Sequence, residues 1–163
     1  MADWTVACAA LLALGVLSDI FDGIIARRLG VATPALRVWD SRADVVFWVC
    51  AFAAVALARP GLIDLLWPAA AVIAALEIGN HLASYAKFRR EASPHHYLSK
   101  AFGLALWGLC SAALLAGDNI ATMRATITTV LAIGILSQLE AFAITMRLKA
   151  WRCDVASVLT LRS

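Results

Sequence analysis

The chain has 163 residues, 63% of them hydrophobic and only 15% charged, where soluble domains carry about 25% charged residues. With a mean hydropathy of +0.82, this excludes an ordinary soluble domain and leaves little chain for anything outside a membrane. The net charge of +3 decides little by itself; where the charges sit decides more.

Five apolar runs follow one another, each near the roughly 20 residues that a bilayer-crossing helix needs. The first runs from Trp4 to Ile25 and ends in Ala26-Arg27-Arg28. The second runs from Ala35 to Ala58 and stops at Arg59-Pro60-Gly61. The third runs from Leu62 to Tyr85, followed by Lys87, Arg89 and Arg90. The fourth runs from Leu98 to Leu115 and ends at Gly117-Asp118. The fifth runs from Ile120 to Met146, followed by Arg147, Lys149 and Arg152. Pro60, Gly61 and Pro94 fall between runs, as helix breakers should. A β-barrel would show short alternating segments instead. The expected fold is therefore all-α: a polytopic membrane helix bundle of about five transmembrane helices, forming a single domain over 1–163. No cleavable signal peptide is expected, because the first run lacks a basic leader.

Twelve of the fourteen Lys and Arg residues then share one membrane face: Arg27, Arg28, Arg37 and Arg42; Lys87, Arg89, Arg90 and Lys100; Arg147, Lys149, Arg152 and Arg162. Arg59 and Arg124 lie on the other. The positive-inside rule puts the twelve in the cytoplasm, with the N-terminus outside. Cys8, Cys50, Cys110 and Cys153 form no CxxC pair, so neither a thiolate metal site nor a disulfide framework is expected; they read as small buried apolar residues. The six tryptophans read as interfacial anchors and core.

Asp19, Asp22, Asp40 and Asp44 carry the chemistry. A carboxylate within a membrane helix costs a few kcal/mol and is functional by default. Asp19 and Asp22 stand three apart, with Gly23 and Ala26 on their face; Asp40 and Asp44 stand four apart on one face of the next helix. The short turn from Leu29 to Pro34 makes the two helices antiparallel neighbours, so four carboxylates converge at one end. Like charges so placed call for a cation, and hard oxygen ligands without His or Cys favour Mg²⁺, Mn²⁺ or Ca²⁺. The small residues leave room for a bulky ligand, and Arg27 suits phosphate oxygens. The bland alternative is a salt-bridged hairpin in which these acids pair with Arg27, Arg28, Arg37 and Arg42.

The segment Asp19-Ile-Phe-Asp22-Gly23-Ile-Ile-Ala26-Arg27, followed by Asp40-Ser-Arg-Ala-Asp44, resembles the signature of the CDP-alcohol phosphotransferase (CDP-alcohol phosphatidyltransferase) family. That pattern is D-x-x-D-G-x-x-A-R and, a short interval later, G-x-x-x-D-x-x-x-D. Every fixed position is matched except the second glycine, which is Leu36 here. The family's usual first transmembrane helix is not seen ahead of the motif helix, which begins almost at Met1; either the branch is a shorter one or the chain start lies downstream of the natural one.

The resemblance implies transfer of a substituted phosphate from a CDP-linked donor, CDP-diacylglycerol by expectation, to an alcohol, with release of CMP. Carried over by position, Asp19, Asp22, Asp40 and Asp44 would hold two Mg²⁺ or Mn²⁺ ions, and Asp44 would be the general base. Gly23, Ala26, Arg27 and Thr33 would line the donor site. A small alcohol or phosphorylated polyol acceptor calls for basic groups, for which Arg37 and Lys100 are the candidates, with Lys87, Arg89, Arg90, His95 and His96 on the same side. The resemblance also implies a homodimer in contact with membrane lipids, an active site facing the cytoplasm, an inner (plasma) membrane location in a bacterium, and no nucleic-acid partner. Two other readings use the same residues: a catalytically impaired relative serving as a lipid-binding or assembly subunit, and a divalent-cation transporter. Glu77, Asn80 and His81 on the third run, with Gln138 and Glu140 on the fifth, read either as a polar cavity or as interhelical hydrogen bonding.

Overall fold

The computed structural model describes residues 2–31, 33–92, 95–116 and 119–161. Among the described residues there are five long helices and no strand: α1 (Ala2–Arg28), α2 (Pro34–Ala58), α3 (Ile63–Phe88), α4 (Tyr97–Ala116) and α5 (Ile120–Arg147). Each is long and apolar enough to cross a membrane, and each begins and ends within a few residues of its apolar run. In hydrocarbon the backbone finds no water to bond, so every N–H and C=O must be satisfied within the segment, which a helix does. Pro60 and Gly61 form a 3-10 turn, Pro60–Leu62, that leads into α3. Pro94, Gly117, Asp118 and Arg162 lie outside the described residues.

The helices turn apolar side chains outward. Leu11, Leu14, Val46, Val49 and Leu57 are all well exposed, which water would penalise and lipid does not. The cysteines depart from the expected burial: Cys50 is exposed and the other three are half-buried. A thiol is apolar enough to face lipid, so its place in an apolar run does not specify the interior.

The chain divides into two compact units. The first comprises Met1–Asp64 and Trp107–Met123, that is, α1, α2, the end of α4 and the start of α5. The α1–α2 connection is tight. Gly30 takes a positive φ of 68°, and Val31 N–H reaches back to Ala26 O at 3.1 Å, the closing pattern of a helix that ends on a left-handed residue. Thr33 then caps α2, its Oγ1 accepting Leu36 N–H at 3.2 Å, with Pro34 at the first helical position. Midway along α1, Gly15 faces the ring of Phe47 on α2; a Cβ there would fall 2.9 Å from Phe47 Cζ. Gly15 and Phe47 are nearly equidistant from the turn, so the two helices form an antiparallel hairpin in register.

The second unit comprises Leu65–Leu106 and Arg124–Ser163, including most of α3 and α5. Here α5 comes close to its neighbours: a Cβ on Gly134 would lie 2.6 Å from Ile73 Cδ1 and 2.7 Å from Phe102 Cε2. Small residues at such crossings permit close helix approach in a membrane. Polar groups lock the crossing. Thr145 Oγ1 donates to Asn80 Oδ1 at 3.0 Å, and the Gln138 amide donates to Glu77. Lys87 Nζ donates to the α5 carbonyls of Thr145 at 3.1 Å and Met146 at 2.6 Å, closing that helix's C-terminus from outside.

Gly134→Val is expected to lower the unfolding midpoint of the purified protein by overpacking worth about 1–3 kcal/mol. Gly79→Ala, where an added Cβ meets nothing within 4 Å, is the control and should change stability by less than about 0.5 kcal/mol. Thermal unfolding in detergent, followed by circular dichroism, reads both.

Candidate active site

The hairpin register decides what the aspartates meet. Asp19 lies one turn past Gly15 and Asp44 one turn before Phe47, so the contact that aligns the helices also sets these two acids level. Among the described residues, the charged groups that act on half-buried Asp44 are the carboxylates of Asp19 on α1 and Asp40 on its own helix. Three motif acids from two helices therefore share one electrostatic neighbourhood. Asp22 is exposed and accepts from Ser18 Oγ at 3.5 Å; the same register puts it level with Asp40.

The salt-bridged alternative holds at one position and fails at another. Arg37 is buried, and its Nη1 lies 3.6 Å from Asp40 Oδ2. Asp44, among the described residues, has neither a hydrogen bond nor an ion pair. Arg42 is turned onto the Trp39 ring, 5.1 Å from its centroid. A half-buried carboxylate with like charges beside it is costly unless something positive is bound there.

No set of three or more Asp, Glu, His or Cys side chains among the described residues stands close enough to hold a metal ion. The donor chemistry nevertheless fits a hard divalent cation: the groups are carboxylates only, and their mutual repulsion is what such a cation relieves. Asp19, Asp22, Asp40 and Asp44 are the residues that would hold it.

The remaining expected residues separate. Gly23 and Ala26 sit half-buried on the last turns of α1, beside Asp22. The Arg27 side chain lies outside the described residues. Thr33 is exposed at the mouth of the hairpin and caps α2. Leu36 is 44% exposed, so its side chain stands out from the protein instead of filling the space between α1 and α2. Arg37, read as an acceptor group, is buried against Asp40. Lys100 belongs to the other unit, exposed on the first turn of α4 over the Tyr97 ring at 5.9 Å. Lys87 caps α5, and Arg90 lies over Trp151 at 5.1 Å.

The second unit answers the two readings of the intramembrane polar residues in favour of hydrogen bonding. Glu77 binds both Gln138 and His81, the latter at 3.1 Å, and Asn80 binds Thr145. His96 is 2% exposed, a burial that no periodicity in the sequence marks. Its Nε2 meets Ser137 O at 3.0 Å, while Nδ1 is buried without a partner. The neutral ring with its proton on Nε2 fits this place; a second proton would sit on Nδ1 facing no acceptor. Burial accordingly holds the His96 pKa below its ordinary value of 6.5, against the pull of the Glu140 carboxylate.

Among known proteins, residues 1–153 match the family model of the CDP-alcohol phosphatidyltransferases. No curated protein and no solved structure matches the chain significantly.

His96 supplies a pH test. Its folded pKa lies below the unfolded one, so its contribution is complete above pH 6.5 and is lost as pH falls from there through the folded value. The unfolding midpoint of the wild type should drop between about pH 7 and pH 5, and His96→Gln should flatten that part of the profile. Identical slopes for the two proteins would contradict the assignment.

Proposed function

Since the chain belongs to the CDP-alcohol phosphatidyltransferase family, we propose that it transfers a phosphatidyl group from CDP-diacylglycerol to a small alcohol or phosphorylated polyol, releasing CMP, in phospholipid synthesis. The observation that carries this reading is Asp44: a half-buried carboxylate at a motif position, with Asp19 and Asp40 beside it and no partner among the described residues.

A carboxylate with no partner among the described residues is available to take a proton, which a general base for a weakly acidic hydroxyl must do. In this reading the acceptor oxygen attacks the phosphorus that carries the diacylglycerol. Its proton passes to Asp44, and the bond from that phosphorus to the bridging oxygen breaks as CMP leaves. Divalent cations held by Asp19, Asp22, Asp40 and Asp44 would supply charge neutralisation at the phosphoryl oxygens. Gly23 and Ala26 leave the α1 backbone open to the nucleotide, with Arg27 for a phosphate. Thr33 stands where the donor phosphates would pass. Arg37 keeps Asp40 compensated, and Lys100 serves the phosphate of a phosphorylated acceptor. The acyl chains stay in the bilayer while the head group meets the aspartates at its cytoplasmic face. A homodimer in the plasma membrane of a bacterium completes the reading.

Purified protein with Mg²⁺, CDP-diacylglycerol and a panel of acceptors should release CMP, and chelation should stop it. Asp44→Asn should cut turnover by about 10²–10⁴-fold while CDP-diacylglycerol still binds. Turnover by that variant at the wild-type rate would refute the base; binding without turnover by the wild type would make the chain a lipid-binding subunit instead. For orientation, a cysteine replacing Lys149 should react with an impermeant thiol reagent only from the cytoplasmic side.

A further inference from the structure

The segment after α5 takes no part in the aspartate site. It runs on to Leu161 with a single 3-10 turn, Val158–Thr160, and from residue 154 it lies past the family match. A segment without regular structure after a last helix is loose by default unless it is tied down. This one is tied down. Val155 is buried with Ile144 and Leu148, and Phe88, Val158 and Leu161 pack around them. Trp151 Nε1 donates to Glu91 O at 2.9 Å.

One side chain gathers the polar ties. Glu140 lies in α5 with its side chain only 12% exposed. Its Oε1 accepts from Ser157 Oγ at 2.6 Å and from Val158 N–H at 3.1 Å. Its Oε2 lies 3.8 Å from His96 Nε2. Ser137, three residues earlier and on the same face of α5, holds His96 through its carbonyl. One turn of α5 thus binds both the loop before α4 and the segment at Ser157–Val158. The two are also joined directly: Tyr97 N–H donates to Ala156 O at 3.0 Å, which satisfies one of the N–H groups that a helix start leaves without an internal partner.

We propose that Glu140 is a positioning residue, fastening Val155–Leu161 as a strap across the start of α4 so that the strap sets where the His96 loop and Lys100 stand. A carboxyl so buried in a membrane helix is costly without donors, and both donors to its Oε1 come from the strap. The strap in turn loses its main polar anchor without Glu140. Lys100 lies one turn beyond Tyr97, so releasing the strap frees the first turn of α4 that carries it. The consequence for acceptor binding rests on the function proposed above; the fastening itself does not.

Hydrogen–deuterium exchange on the full chain in lipid nanodiscs tests the fastening without turnover. Glu140→Ala should speed exchange at Tyr97–Lys100 and across 155–161 by about tenfold or more, with α1 and α2 unchanged. Glu140→Gln, which keeps an acceptor oxygen, should stay nearer the wild type. Should Glu140→Ala not fold, Val158→Pro removes one donor at a position that tolerates proline and should speed exchange at the same amides. Unchanged exchange in the folded variant overturns the proposal. In the activity arm, Ser157→Ala should raise KM for a phosphorylated acceptor several-fold, with kcat and donor KM within about twofold. Faster exchange with an unmoved acceptor KM overturns the positioning role. Faster exchange in Glu140→Ala with no turnover by the wild type on any acceptor upholds the strap and refutes the catalytic reading.

Discussion

Hydrocarbon offers no hydrogen bond, and the rest of this structure follows from that constraint. It makes the backbone helical throughout the apolar runs. It also means that each polar side chain in a run must find a protein partner, reach the interface, or exist for chemistry. Asn80, Ser84, Ser137 and Thr145 are all buried, and each has found a partner on another segment or on the backbone. Glu77 has two. Asp44 has none among the described residues. The contrast with those buried residues is what makes Asp44 stand out.

The two units use polar groups to different ends. In the second unit they are structural: amide, hydroxyl and ammonium groups join α3 to α5 where close-packed small residues let the helices approach. Such bonds are individually modest in a membrane, of the order of 0.6–2 kcal/mol, so it is their number along one helix pair that matters. In the first unit the contact that aligns α1 with α2 is apolar, Gly15 against Phe47. Asp40 is compensated by Arg37, while Asp44 has no partner among the described residues.

Several basic residues that topology places on one side turn out to be anchors. Lys87 closes α5, Arg90 lies over Trp151 and Arg37 answers Asp40. A cation near a membrane interface serves topology in every case, and what else it does depends on the nearest carbonyl, ring or carboxylate. Sequence position does not report those neighbours. The same holds for Glu140: a single acid near the end of an apolar run looks like any other, and its partners Ser157 and Val158 lie in a stretch without periodicity.

The sequence by itself determined the all-α class, the five helices to within a few residues, and the four motif aspartates with Gly23 and Ala26 on the α1–α2 hairpin. Helix length and hydropathy are local, and three- and four-residue spacings report helix faces directly. The family also followed from this local pattern. Only the tertiary structure decided which acids are compensated, because that depends on contacts across the hairpin and on rotamers. It decided that Leu36 stands exposed and that Thr33 caps α2. It decided that the polar residues of α3 and α5 bond to one another, and that Ser157 and Val158 are bonded to α5. Those outcomes come from packing between segments far apart in the chain, and periodicity along one helix carries no record of what the next one brings.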